Sequence, residues 1–381
     1  MLPHYDVIVL GVGGMGSSTL FELARRGQRV LGLEQFPLVH SRGSSHGHTR
    51  VIRQAYYEHP DYVPLLKGAY DRWYDLEQRT GRHLFTACGV LNIGTATGEL
   101  IDGVRTSAKQ HQLDVQEFTA TELMNRFPAF RFKDRNMVGV LERNAGYLFV
   151  EECVRAYCDS AVSLGASIHA EEPVIGWKAV ADGVEVRTAK AIYTAKKLVI
   201  TAGAWATQLL ADMGLPLTVM RQVMHWFLPQ NLALFRRDRF PVYLIDGPMG
   251  VFYGTPMIDP RGIKTAQHYG APEVSTPDEV DWTTQENDSQ TTRTFLEEYL
   301  PSAAGICTSS QVCQYTLTPD RHFVIDAHPH YPQVAIAAGF SGHGFKFASV
   351  VGEILADLVL TGKTDWPIEM FRSTRFGGFN P

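Results

Sequence analysis

No stretch of the 381-residue sequence approaches the length of an apolar membrane span, so no transmembrane helix is expected. Neither sign of charge dominates. The 35 lysines and arginines face 40 aspartates and glutamates, and the formal net charge of −5 is too mild to imply a nucleic-acid partner or a strongly charged ligand. Cysteine is scarce and odd in number: Cys88, Cys153, Cys158, Cys307 and Cys313 fit neither a zinc spacing nor a disulfide framework. Free thiols in a reducing compartment are expected. The first strand-like run begins by Tyr5 and leaves no room for a signal peptide. The C-terminal Gly377-Gly378-Phe379-Asn380-Pro381 is not a Ser-Lys-Leu peroxisomal signal, so the cytoplasm is the expected compartment.

What is present starts at the N-terminus. Tyr5-Asp6-Val7-Ile8-Val9-Leu10 is a short, β-branched apolar run that reads as a buried strand. Gly11-Val12-Gly13-Gly14-Met15-Gly16 follows as a G-x-G-x-x-G, and Ser17 to Arg26 carries Leu20, Leu23 and Ala24 at helical spacing up to Gly27. Arg29 to Leu33 reads as a second strand, closed by Glu34. Gly11 permits the tight turn, Gly13 admits a pyrophosphate to the backbone, and Gly16 lets helix and strand pack closely. The helix start offers N–H groups and a positive dipole end to phosphates. Glu34 is placed to accept ribose hydroxyls and to disfavour a 2′-phosphate. Dinucleotide binding follows from this context, but the motif does not separate NAD from FAD.

Residues 36–59 are rich in His, Ser, Gly and Arg and read as a polar loop bordering the cofactor. Its histidines lack a carboxylate or cysteine to complete a metal set, so no metal is expected. Arg50 and Arg53 lie three apart, and a helical turn would place them on one face. Either suits a ligand carboxylate, and either alone serves equally as a surface ion pair. Asp61 to Thr80 has the spacing of an amphipathic helix. Gly98 to Phe127 reads as helical segments alternating with loops. Cys153 to Leu164 reads as a helix. Lys197-Leu198-Val199-Ile200 reads as a buried strand running into Thr201-Ala202-Gly203-Ala204-Trp205, a second backbone approach to the cofactor.

Pro216 to Tyr269 is rich in short β segments and reads as an antiparallel, substrate-covering layer. Within it Lys264 and His268, four apart in a strand-like stretch, project to one face. Val334-Ala335-Ile336-Ala337-Ala338 is an apolar strand leading into Gly339-Phe340-Ser341-Gly342-His343-Gly344-Phe345-Lys346-Phe347-Ala348 and a helix through Leu360. Glycine clusters at both ends of the chain, each joining strand to helix, suggest two approaches to one long cofactor. The expected architecture is α/β: a discontinuous Rossmann-type FAD-binding domain (1–85, 145–220 and 311–381) with an inserted, mainly antiparallel substrate domain (86–144 and 221–310).

Three motifs carry a family resemblance over nearly the whole chain: Gly43-Ser44-Ser45-His46-Gly47-His48-Thr49-Arg50 with Arg53, then Val312-Cys313-Gln314-Tyr315-Thr316, then Ala338 to Phe347. The sequence resembles the monomeric sarcosine oxidase and N-methyltryptophan oxidase family of covalent-flavin amine oxidases. The resemblance implies one FAD per chain, held by a thioether from Cys313, and a cofactor set of Gly11, Gly13, Gly14, Met15, Gly16, Glu34, Gln35, Ser41, Gly43, Ser44, Arg50, Val174, Ala202, Gly203, Trp205, Gly342, His343, Gly344, Phe345 and Lys346.

It further implies that Arg53 and Lys346, with Gly342, bind a substrate carboxylate and that Arg50 lies against the flavin. Lys264 would activate oxygen, His268 would orient substrate, and Tyr253 and Tyr315 would complete the catalytic set. Phe252 falls where close relatives carry a tyrosine, with Tyr253 next to it. The loop from this pair to Lys264 is one residue longer, and Ser45 and His48 replace a histidine and an aspartate. The implied reaction is oxidation of a secondary amino acid such as sarcosine, by hydride transfer to FAD, O₂ reduction to H₂O₂ and hydrolysis of the imine. N-methyltryptophan, pipecolate or proline, and glycated amino acids remain open as substrates. So do an FAD dehydrogenase serving a quinone or carrier protein and a binding module without turnover. An NAD-dependent dehydrogenase leaves Cys313 and the C-terminal glycine motif without a role. A monomer is implied.

Overall fold

Every residue from Val7 to Leu10 is buried, which is why the run is continuously apolar instead of alternating: both faces of this strand are covered. In the computed structural model, which describes residues 4–377, His4–Leu10 lies between two parallel neighbours, Val30–Leu33 and Ile192–Ile200. Ser167–His169 extends the sheet beyond Val30–Leu33, and Val334–Ala338 lies parallel to the end of Ile192–Ile200. This sheet therefore draws its strands from the beginning, middle and end of the chain. An antiparallel hairpin, Val174–Val180 with Gly183–Thr188, continues one edge. The helices Gly14–Arg25, Val150–Ser163 and Ala348–Thr361 pack in a common core with it. Residues 378–381, at the end of the stretch read for a targeting signal, lie outside the described residues. No helix among the described residues is long and apolar enough to cross a membrane.

A second, nine-stranded sheet is antiparallel except where Val242–Gly247 runs parallel to Val90–Thr95. It includes Thr218–Leu228, Gly250–Asp259, Gly262–Gln267 and Ile306–Leu317. The mixed α/β architecture expected from the sequence is present. The boundary placed between residues 310 and 311 falls inside Ile306–Leu317, and that between 220 and 221 inside Thr218–Leu228. These two strands pair with each other along their length, so Cys313 and Tyr315 stand in the second sheet.

Two local readings change. Arg50 lies in a strand, Thr49–Ile52, paired with Gly146–Phe149, and not in a helical turn with Arg53. Between the helices Glu99–His111 and Ala120–Arg126 runs an edge strand, Val115–Thr119, where loop was expected. Its apolar content is too low for a period-two signal, with the pattern VQEFT burying just Phe118 fully.

Two glycines fix how the first strand meets its helix. Gly11 sits at φ +87°, where a side chain would be strained, and a Cβ there would lie 2.7 Å from the Thr201 carbonyl oxygen. A Cβ on Gly16 would fall 1.8 Å from the Gly11 carbonyl oxygen. Gly16→Ala is therefore expected to destabilise the protein by about 1–3 kcal/mol or more. Thermal unfolding checks this: an unchanged Tm would show that the helix start has room to shift.

Candidate active site

The parallel strands of the first sheet end together, and their C-terminal ends face the second sheet, the usual ligand position of such a fold. Between the two sheets lies a cavity of about 800 Å³. From the first sheet it is lined by Gly11, Gly13, Gly14 and Met15, by Glu34 and Gln35, by Ala202, Gly203 and Trp205, and by Gly342 to Lys346. Val174 borders it from the hairpin, and Gly43, Ser44, Arg50 and Arg53 from the polar loop and its strand. The second sheet contributes Tyr253, Lys264, His268 and Tyr315. Residues up to about 330 positions apart in sequence thus meet in one cavity.

Three residues of the expected cofactor set are off this wall. Gly16 acts through packing, as the close approach to Gly11 requires. Ser41 is solvent-exposed. Cys313 is buried behind the wall, its Sγ 3.5 Å from Arg50 Nη2. His343 lines the cavity with both its ring nitrogens engaged elsewhere, Nδ1 with the Tyr56 hydroxyl at 2.6 Å and Nε2 with the Arg321 carbonyl at 2.9 Å.

The donor set fits an FAD. Helix Gly14–Arg25 starts at Gly13, which has no capping side chain; the Gly14 amide donates to the Ser45 hydroxyl at 3.1 Å, and the positive end of the helix faces the cavity, where a pyrophosphate would sit. A Cβ on Gly13 would meet nothing nearer than Ser45 Oγ at 3.6 Å, so that backbone is open to close approach. Glu34 is held by the Val12 and Phe36 amides at 2.9 and 3.1 Å, which orients its carboxylate at the strand end. The Thr49 hydroxyl is buried on the cavity wall with no partner among the described residues, a cost that a bound group would relieve.

At the end nearer the second sheet, charge is concentrated. Arg50 donates to the Ser44 and Thr49 carbonyls. Burial pushes the Cys313 thiol up, against the pull of Arg50. Lys264 donates to the Thr49 and Gly47 carbonyls at 2.6 and 3.1 Å, and burial, followed by the charge of Arg50, drives its pKa well below the ordinary lysine value. Lys346 is pushed down to about 7 by burial and then by Arg53. Burial holds His268 neutral, its pKa pushed down to about 3, and places its Nδ1 3.4 Å from the Tyr315 hydroxyl.

Strand alternation sends Phe252 and Tyr253 to opposite faces. Phe252 turns away and stacks on Phe295 at 4.1 Å, while Tyr253 faces the cavity. Between Gly254 and Asp259 the strand Gly250–Asp259 shifts register against Gly262–Gln267, the strand that carries Lys264.

Sequence reasoning missed three carboxylates. Glu58 takes both donors of Arg53 Nη2, at 3.0 and 3.1 Å, on the cavity wall. Glu142 accepts the Gln54 and Ala55 amides and pins the turn after Arg53. Glu151 accepts the Gly47 and His48 amides and pins the loop before Arg50. No motif marks them. A buried run of polar loop demanding external acceptors is the signal that would have found the last two.

Residues 6–358 match the family described as FAD dependent oxidoreductase. The chain is similar to the monomeric sarcosine oxidase of Streptomyces avermitilis, 44% identical over 380 residues and 98% of each chain. It is also similar to the N-methyl-L-tryptophan oxidase of Yersinia pestis, 33% identical over 98% of this chain and 99% of that one. Among solved structures, the open form of NikD, described as an unusual amino acid oxidase essential for nikkomycin biosynthesis, is 25% identical with a TM-score of 0.86 over 97% of each chain.

The buried histidines give the molecule a pH signature. Burial lowers the pKa of His46 and His268 to about 3 and of His225 to about 4, from 6.5. The unfolded chain therefore binds more protons than the folded one between these values and 6.5, and stability falls as pH drops through that window. Each group contributes up to about 1.4 kcal/mol per pH unit. Tm measured from pH 7 down to 4 should fall steadily, and His46→Asn should flatten the slope. An equal slope in that variant would mean that His46 titrates normally.

Proposed function

The chain belongs to the FAD dependent oxidoreductase family, and we propose that it is an oxidase of secondary, N-methyl amino acids. The observation that carries this reading is a pair of buried cations, Arg53 and Lys346, on the wall of a cavity whose other end is a dinucleotide cradle. Such a pair suits the carboxylate of a small amino acid: the guanidinium supplies a planar fork and the amine a point charge. The names of the relatives, sarcosine and N-methyl-L-tryptophan oxidases, agree with that substrate class.

The cradle residues Gly11 to Met15, Glu34, Ala202 and Gly203 would hold FAD, which when bound supplies the two-electron acceptor for the amine and passes the electrons to O₂. Arg53 and Lys346 orient the substrate through its carboxylate, in competition with Glu58. His268, kept neutral by burial, and Tyr253 and Tyr315 wall the amine end. Lys264 faces the oxygen chemistry. Burial favours its neutral amine, and negative charge developing on oxygen draws it back to the ammonium. Cys313 would carry the covalent tether to the FAD, and Arg50, against its sulfur, opposes the effect of burial and favours the thiolate. We take the two sheets as two domains with the division outside the paired strands Thr218–Leu228 and Ile306–Leu317. A monomer, after the relatives' name, and the cytoplasm complete the reading.

The direct test is H₂O₂ release. The purified holoenzyme in air should convert sarcosine to glycine, formaldehyde and H₂O₂ in equal amounts. Absence of H₂O₂ with sarcosine and with larger N-methyl amino acids would overturn the oxidase reading. Anaerobic bleaching of the flavin by the same compounds would then favour a dehydrogenase serving a quinone or carrier protein. For Lys264→Met, flavin reduction should proceed while reoxidation by O₂ slows roughly 100-fold or more. Fast reoxidation in that variant would remove Lys264 from the oxygen step.

A further inference from the structure

Tyr56 stands between the two cations. Arg53 Cζ lies 4.4 Å from the centroid of its ring, and Lys346 Nζ lies 5.0 Å from the same centroid. The Tyr56 hydroxyl is 2.6 Å from His343 Nδ1 and 3.3 Å from Lys346 Nζ. Both Tyr56 and His343 are buried, and Tyr62 and Phe323 pack against the imidazole at centroid distances of 5.8 and 4.8 Å.

The proton positions follow from the partners. The Arg321 carbonyl oxygen can only accept, so His343 Nε2 carries the hydrogen at 2.9 Å from it. A neutral imidazole then has a bare Nδ1, which accepts the Tyr56 O–H. The Tyr56 oxygen is left with lone pairs alone and accepts from Lys346. Lys346 gives another N–H to the His343 carbonyl at 2.6 Å. Two of its three donors are thus assigned, and the third, present in the ammonium form, is left for the cavity.

We propose that Tyr56 and His343 are positioning residues for substrate: a one-way hydrogen-bond relay, anchored on the Arg321 carbonyl, that fixes the Lys346 amine with one N–H for the substrate carboxylate. The identity of that carboxylate as part of an amino-acid substrate rests on the function proposed above; the relay itself does not. The same tyrosine supports Arg53 through its ring face, so one side chain sets the spacing of both cations.

Tyr56→Phe separates the two contributions, because it keeps the ring under Arg53 and removes the hydroxyl. Its KM for sarcosine should rise about three- to tenfold, the loss of one buried hydrogen bond, with kcat changed by less than about twofold. Binding of acetate, read by the thermal shift of the holoenzyme, should weaken by the same factor, and dimethylamine, which has no carboxylate, should bind as before. His343→Leu, which removes the Nδ1 acceptor, should match Tyr56→Phe, and His343→Asn, which keeps an acceptor near the Nδ1 position, should weaken acetate binding less than His343→Leu. If Tyr56→Phe does not fold, the two His343 variants carry the test. Unchanged acetate binding in Tyr56→Phe and His343→Leu would overturn the relay, as would equal weakening of acetate and dimethylamine. Failure of the parent protein to oxidise any N-methyl amino acid would overturn the proposed function, and the acetate comparison would still decide the relay.

Discussion

The backbone contact of Gly16 with Gly11 is the constraint on which the rest depends. It presses the start of the first helix against the end of the first strand, and the Thr201 hydroxyl, bonded to the Leu10 and Gly11 carbonyls at 3.1 and 2.8 Å, ties in the neighbouring strand. With those three elements locked, the helix amides, Glu34 and the turn at Ala202–Gly203 open onto one point. The C-terminal glycine turn arrives beside them because Val334–Ala338 pairs with Ile192–Ile200. A cradle built from strand ends is rigid, which is what a long cofactor and a small substrate held in register both require.

The opposing sheet brings the charge. Arg50, Arg53, Lys264 and Lys346 are all enclosed at one end of the cavity, with Glu58 as the carboxylate on that wall. Enclosing so many cations is costly, and the cost appears as the depressed lysines. Backbone carbonyls offset part of it: those of Gly47 and Thr49 serve Lys264, and that of His343 serves Lys346. The Gly47 carbonyl lies in an irregular loop whose Gly47 and His48 amides Glu151 accepts, and Glu142 accepts the Gln54 and Ala55 amides just after Arg53. Positive charge is therefore concentrated at this end of the cavity, with Glu151 and Glu142 bracing the backbone outside its lining and Glu58 paired with Arg53 on its wall.

What was legible in the sequence was what neighbouring residues determine. The glycine turn, its flanking strand and helix and the acid at the second strand end follow from local backbone geometry. The apolar strand Val334–Ala338 was placed to the residue for the same reason. Lys264 and His268 came to one face because strand alternation is local. The partners that organise the site were not legible, because they meet across the fold. Tyr56 and His343 are 287 positions apart, and Arg50 and Cys313 are 263 apart. Glu58 lies five residues from Arg53, yet nothing in its neighbours marks it as an ion-pair partner. The long pairing of Thr218–Leu228 with Ile306–Leu317, which moves Cys313 into the second sheet, is likewise a contact of high sequence separation.

Central to the account is that one cavity between the sheets seats the flavin, with Cys313 of the second sheet tethering a cofactor cradled by the first. Acid precipitation of the purified protein, followed by peptide mapping, tests it most directly. The account predicts that the yellow colour stays in the pellet and that the added mass of FAD lies on the peptide bearing Cys313. Colour released to the supernatant would contradict the tether, and a protein with no colour at all would contradict the flavin seat itself.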